Sequence, residues 1–251
     1  MRTIIVGDVH GCRSELEGLL DRVAFTSGDR LVFVGDLVAR GPDSLGVLDI
    51  ARTTGAIVVR GNHEQKLLDW RRARAAWMHG EAAAKPPLTS MHRDLARSLR
   101  PVDWTLLETS PLSFEVPEHG ARVVHAGLLP GVPFEAQTPQ TLMRIRTVQV
   151  PGERSGRARA KPVNVLWGTV YDGPLHVVFG HNASPGLQIH RWATGLDTGC
   201  VYGGRLTAMV LANGQRIPRA LPARRALLVA EPAARIWFAP AARAAAPNRS
   251  T

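Results

Sequence analysis

Three times in the first 64 residues a short, β-branched apolar run stops at a glycine and a polar cluster: TIIVGDVHG at 3–11, RLVFVGDLVARG at 30–41 and AIVVRGNHE at 56–64. Such a run reads as a buried strand that empties into a loop, so each polar cluster is delivered to a strand end. Between the first two, SELEGLLDRV places Leu16, Leu19, Leu20 and Val23 at helical spacing, with Ser14 and Glu17 as the expected start signal. Between the second and third, PDSLGVLDIARTTG has the same form, with Pro42 near the start, Leu45, Leu48 and Ile50 as apolar positions and Gly55 as the stop. The expectation is a βαβαβ unit at the head of an α/β chain.

Residues 64 to about 100 read as polar helix interrupted by KPP at 85–87, and we expect a helical cap there, extending to about residue 110. Strand candidates follow at LSFEV, ARVVHAG, LHVVFGH and RLTAMVL, with Pro-, Gly- and Arg-rich loops between them. The expected organisation is one catalytic domain over 1–217 and a basic Ala/Pro/Arg-rich extension over 218–251, its last ten residues mobile. Within that extension LLVAE and RIWFAP are candidates for a strand or a docking segment.

The chain has a net charge of +10, which invites a nucleic-acid reading. Seven arginines and one glutamate follow Gln215, however, so six of the ten net charges lie in the extension, and lysine occurs only at 66, 85 and 161. Nucleic acid is therefore not the expected partner. No secretory signal pattern and no apolar run of membrane-spanning length is visible, so a cytoplasmic location without membrane contact is expected. Cys12 and Cys200 are too few to hold a chain of 251 residues together and are expected as thiols.

The chemistry lies at the strand ends. Asp8 and His10 are one residue apart and, on an extended segment, point to the same side. Asp36 and Asn62 end the next two strands, and His125 and His181 end two later ones. Singly each has an ordinary explanation: a helix cap, a hydrogen-bonded core histidine, a turn. Together they are six candidate ligands, carboxylate, amide and imidazole, gathered at strand ends. Oxygen and imidazole donors without thiolate favour Mn²⁺, Co²⁺, Fe or Zn²⁺, and a carboxylate such as Asp36 can bridge two ions.

The pattern GDxHG, GDxVxRG, GNHE, HAG and GH, met from Gly7 to His181, resembles the calcineurin-like metallophosphoesterases of the phosphoprotein-phosphatase superfamily. The resemblance implies a four-layer α/β sandwich of two mixed sheets flanked by helices, with metals at the sheets' carboxyl edge. It assigns Asp8, His10 and Asp36 to one metal, and Asp36 as bridge, Asn62, His125 and His181 to the other, Mn²⁺ being the expected ion. It also implies in-line attack on phosphorus by a hydroxide held between the two cations, with His63 as the general acid. Arg40, four residues after Asp36, is a candidate phosphate clamp. Arg144 and Arg146 in LMRIR alternate along an expected extended segment and share one face, and the resemblance points to at least one as a second clamp, Arg144 being preferred.

Protein phosphatases of that superfamily typically carry an acidic residue before the motif arginine, where it orients the catalytic histidine; here the position is Ala39. GDLVARGP, LMRIR and LDTGCVYGGRLT together resemble the bacterial symmetrical diadenosine tetraphosphatases. The implied substrate is a small dinucleoside polyphosphate cut into two nucleoside diphosphates. Two alternatives stay open: a protein phosphatase or polyphosphatase on the same site, and a polyanion- or RNA-binding protein with a residual metal site, suggested by the basic extension and RSGRARAK at 154–161. Without an acidic residue at 39, Glu64 or another carboxylate is the candidate for orienting His63. Trp167, Tyr171, Trp192 and Tyr202 are candidate adenine stackers, with a core role preferred for each.

Overall fold

A computed structural model describes residues 1–81, 84, 86–152 and 162–239. Strand β1 (Thr3–Val6), helix α1 (Arg13–Arg22), strand β2 (Arg30–Phe33), helix α2 (Ser44–Thr53) and strand β3 (Ile57–Val58) follow one another as the periodicity requires. The cap is three helices, α3 (Asn62–Met78), α4 (Ser90–Ser98) and α5 (Pro101–Thr109). Then come β4 (Ser113–Val116), β5 (Ala121–Val124), α6 (Pro139–Arg144), β6 (Thr147–Val150), β7 (Val163–Leu166), α7 (Trp167–Val170), β8 (His176–Phe179), β9 (Gln188–Ile189), β10 (Ala193–Gly195), β11 (Arg205–Leu211), α8 (Leu221–Arg225) and β12 (Leu228–Pro232).

The strands form two five-stranded mixed sheets, ordered β12-β11-β1-β2-β3 and β4-β5-β8-β10-β9, and a β6-β7 hairpin. Alternation along each strand decides the layering. Ile4, Val6 and Phe33 face outward with Leu16, Leu19, Val47 and Leu48 of α1 and α2. Ile5, Val32 and Met209 face inward and meet Val123 and Val178 of the second sheet. Val124, Val177 and Phe179 face outward on that sheet, against Leu142 of α6 and Trp167 of α7. The result is helices, sheet, sheet, helices: the expected four-layer sandwich.

Because β1, β2 and β3 run parallel, as do β5, β8 and β10, their carboxyl ends emerge on shared edges. Those edges position the site.

Some expectations change and others hold. The strand ends at Val6 and His10 has φ 48°, so Asp8 and His10 are carried by a turn and not by an extended segment. Cys12 stands at the α1 cap without a side-chain bond, and the Ser14 hydroxyl donates to Glu15 (2.8 Å), so Ser14 and Glu17 are not the start signal. Asp43 caps α2 by accepting from the Gly46 N–H. Arg144 is the last residue of α6 and Arg146 follows in a loop, so the two do not share a strand face. LLVAE forms most of β12, an edge strand paired with β11, so the first sheet runs past residue 217. Of RIWFAP the described residues 235–239 add no strand and dock instead: the Trp237 and Phe238 N–H groups both donate to the Val201 carbonyl. RSGRARAK and the last ten residues lie outside the described residues. Trp167 is core, with 1% exposure and its indole N–H on the Ala126 carbonyl. Cys12 and Cys200 are buried free thiols.

Candidate metal centre

Asp36 stands at the middle. Its Oδ1 accepts from the His63 N–H at 2.9 Å, and its Oδ2 lies 3.7 Å from His10 Nε2 and 3.4 Å from His125 Nε2. Two groups of possible ligand atoms, one from His10, Asp36 and His63 and one from Asp36, His125 and His181, therefore share this carboxylate. The Asn62 side-chain oxygen closes the second group, 3.1 Å from His125 Nε2. Asp8 is fixed by the His181 N–H, which reaches both its oxygens at 3.0 and 3.1 Å.

The imidazoles are set up as ligands from behind. His10 Nδ1 lies 3.1 Å from the Val38 carbonyl and His125 Nδ1 lies 3.0 Å from the Val34 carbonyl. On neutral His10 a proton held at Nδ1 leaves the Nε2 lone pair facing Asp36. Burial lowers the pKa of His10 to about 4 and of His181 to about 3, so both rings are neutral donors at pH 7. Burial opposes charge on His125 too, but the carboxylates of Asp36, Asp8 and Glu64 outweigh it and hold the ring up at about 9. Burial also works against Asp36, yet His125, His63 and His10 hold its carboxyl well below the ordinary range. Two buried neutral imidazoles, and a third that the site's own carboxylates hold protonated and that would give up its proton to a bound cation, around a shared, ionised carboxylate fit divalent metal ions.

The backbone bends to bring these groups together. His10, Asp36, Ala39, Arg40 and His181 all have φ between 48° and 72°, where a side chain costs ~1–2 kcal/mol. Glu64, fully buried, compensates for one such bend: its carboxylate accepts from the N–H groups of Asp36, Leu37 and Gly61, each at 2.9 Å. Burial and the neighbouring Asp36 raise its pKa to about 7. Glu64 therefore organises the backbone of the second and third motifs and does not orient His63. Glycine is required where backbone passes beside a ligand: a Cβ on Gly180 would collide with Asp8 Oδ1.

His63, 6% exposed, is held by another histidine. His92 Nε2, from α4 of the cap, lies 3.1 Å from His63 Nδ1. No sequence pattern singled out His92, which sits on a polar helix. Asp197 was also missed as a site residue. It follows β10 just as the candidate ligands follow their strands, is 7% exposed, and lines a cavity of about 520 Å³ with Asp36, Arg40, Asn62, Arg146, His181 and Tyr202. Burial and Asp36 raise its pKa to about 6, although the Gly199 N–H hydrogen bond favours the ionised form.

Arg40 extends its Nη1 to 2.7 Å from His10 Nε2, with its guanidinium carbon 5.5 Å from the Tyr202 ring centre and 6.0 Å from that of Phe238. Arg146 lines the same cavity; Arg144 does not. A larger cavity, about 600 Å³, opens on the cap among Trp70, Arg74, Arg93 and Trp104, and holds none of the groups above.

The family model of calcineurin-like phosphoesterases matches residues 1–215. A symmetrical bis(5'-nucleosyl)-tetraphosphatase of Chromohalobacter salexigens is 32% identical over 272 residues, covering 86% of this chain and 96% of its own. An asymmetrical bis(5'-nucleosyl)-tetraphosphatase of Halalkalibacterium halodurans is 31% identical over 225 residues, covering 83% of this chain and 89% of its own. A crystal structure described, provisionally, as that of a diadenosine tetraphosphatase superposes with a TM-score of 0.71 at 34% identity, over 92% of this chain and 93% of that one. The family works through a two-metal site, and the described residues supply two ligand groups that share Asp36. With those groups gathered where two sheets meet, and with its sequence matched from residue 1 to 215, this chain belongs to the calcineurin-like phosphoesterase family and is a metal-dependent phosphohydrolase.

Proposed function

We propose that the chain hydrolyses dinucleoside tetraphosphates at a phosphoanhydride bond, and that it cuts diadenosine tetraphosphate symmetrically into two ADP. The substrate class is carried by one observation: relatives matched over more than four-fifths of the chain, and a structure at 34% identity, bear that activity in their names. GDLVARGP with Ala39, and LDTGCVYGG around the cavity, support symmetrical cleavage. The asymmetrical reading, ATP plus AMP, is favoured by the Halalkalibacterium halodurans relative. Chromatography of the products of diadenosine tetraphosphate decides: ADP alone is expected, and ATP with AMP in equal amounts would overturn the symmetrical reading.

In this reading Asp8, His10 and Asp36 would hold one divalent ion, and Asp36, Asn62, His125 and His181 the other; such a mixture of oxygen and imidazole donors suits Mn²⁺, Co²⁺, Fe or Zn²⁺, and Mn²⁺ is the ion proposed. Two cations so held supply an activated water and neutralise charge on the phosphoryl oxygens. Arg40 and Arg146, on the rim of the same cavity, grip phosphate oxygens with planar paired donors. His63 directs an N–H at the leaving oxygen from the cap side, its charged form disfavoured first by burial. Tyr202, already beside Arg40, offers a ring face to a base at the cavity wall.

A further inference from the structure

The imidazole of His63 is backed by a chain of hydrogen bonds that contains no carboxylate. His63 Nδ1 lies 3.1 Å from His92 Nε2, and His92 Nδ1 lies 2.8 Å from the Thr89 hydroxyl. The two rings stack at 27° with centres 5.0 Å apart, and His92 is 2% exposed. Both nitrogens of His92 are thus used in a dry environment, and among the described residues no carboxylate hydrogen-bonds to either ring. The helix that carries His92 is seated on the second motif: the Arg40 N–H reaches Met91 Sδ at 3.1 Å, next to the small, buried Ala39. The cap therefore supplies the partner that the Ala39 turn lacks.

We propose that His92, held by Thr89, positions His63, and that a neutral imidazole in this place matches the site to leaving groups of low basicity, phosphoanhydrides and aryl phosphates, over alkyl phosphates. The order of donors explains the first half. With the Thr89 hydroxyl donating to His92 Nδ1, His92 Nε2–H donates to His63 Nδ1, and the remaining proton of His63 stands at Nε2. That proton faces away from the cap, on the side where Asp36 and His10 lie. The second half follows from charge. A carboxylate behind His63 would pair with the imidazolium form and favour full proton delivery, which a departing alkoxide needs. A neutral ring behind it gives no such pairing, so His63 offers a hydrogen bond, which is enough for a weakly basic phosphate or phenolate. The inference rests on the proposed position of His63 at the leaving oxygen, but not on the identity of the dinucleotide.

The test is a series of aryl phosphates of graded leaving-group basicity, with a phosphoserine peptide as the alkyl case, and metal content measured on every protein. For His92→Ala, we expect kcat to fall about tenfold or more with KM and bound metal unchanged, and the fall to be largest for the most basic leaving groups. His92→Asn, which keeps a hydrogen-bonding side chain, should recover part of the loss. His92→Asp should flatten the dependence on leaving-group basicity and raise the phosphoserine rate relative to the aryl rates. Equal losses across the series, a change confined to KM, or an unaltered slope in His92→Asp would overturn the proposal. If His92→Ala fails to fold, Thr89→Val, which removes only the outer hydroxyl, carries the same slope measurement. Absence of dinucleotide cleavage would leave the aryl series readable, so the two readings fail separately.

Discussion

At the carboxyl end of α6 the chain turns so that Arg146 lines the cavity with Arg40, Asn62 and His181, while Arg144 stays on the helix. Arg146→Ala is expected to lower kcat/KM for the dinucleotide about ten- to a hundredfold, the scale of one lost charged hydrogen bond, and Arg144→Ala to change it little. Equal effects of the two substitutions, measured under steady-state conditions, would contradict that geometry. The shared strand face expected of Arg144 and Arg146 is absent because a helix ends at Arg144, although both arginines act electrostatically on His181. The candidate ligands that the structure gathers were legible, since each is a polar residue abruptly following an apolar run. Asp197 obeys the same rule, but its strand is three residues long and too short to announce itself. His92 gave no signal at all, because a histidine on a polar helix gains its meaning only from what the cap is folded against.

The edge strand β12 and the segment after it show how an element can be structural while reading as a tail. Glu15 of α1 accepts from the Trp237 indole at 2.6 Å and from the Ala234 N–H at 3.0 Å, and Phe238 ends beside Arg40. Glu15→Ala leaves both donors unpaired, ~1–3 kcal/mol each, so thermal unfolding should move down by several degrees. Ending the chain after Leu227 should cost more, because it also removes the pairing of Leu228–Pro232 with β11. Unchanged melting in both proteins would show that the segment is not part of the folded unit. LLVAE was legible as a candidate strand and RIWFAP as a candidate docking segment, but the Ala, Pro and Arg around them placed the end of the catalytic domain at 217, ahead of a strand of its first sheet. By contrast the βαβαβ unit was legible to within a residue or two, since its strands, helices and Gly55 stop follow from periodicity and turn chemistry.

Across the whole molecule the candidate ligands are divided between the two sheets: Asp8, His10, Asp36 and Asn62 follow β1, β2 and β3, whereas His125 and His181 follow β5 and β8. Cations bound there add folding free energy as well as reactivity. Titration with Mn²⁺ should raise the melting temperature saturably, a chelator should reverse it, and Asp36→Asn should remove most of the effect. A melting temperature indifferent to metal would contradict ligation from both sides. The four-layer arrangement was foreseen from family likeness, but that the candidate ligands come from two separate sheets is a matter of topology that a linear pattern does not display. The division turns the site into a rivet between two plates. A cell starved of the metal would then lose more than turnover: the plates would part more readily, proteases would find the opened chain, and scarcity of the ion would be read out as scarcity of the protein.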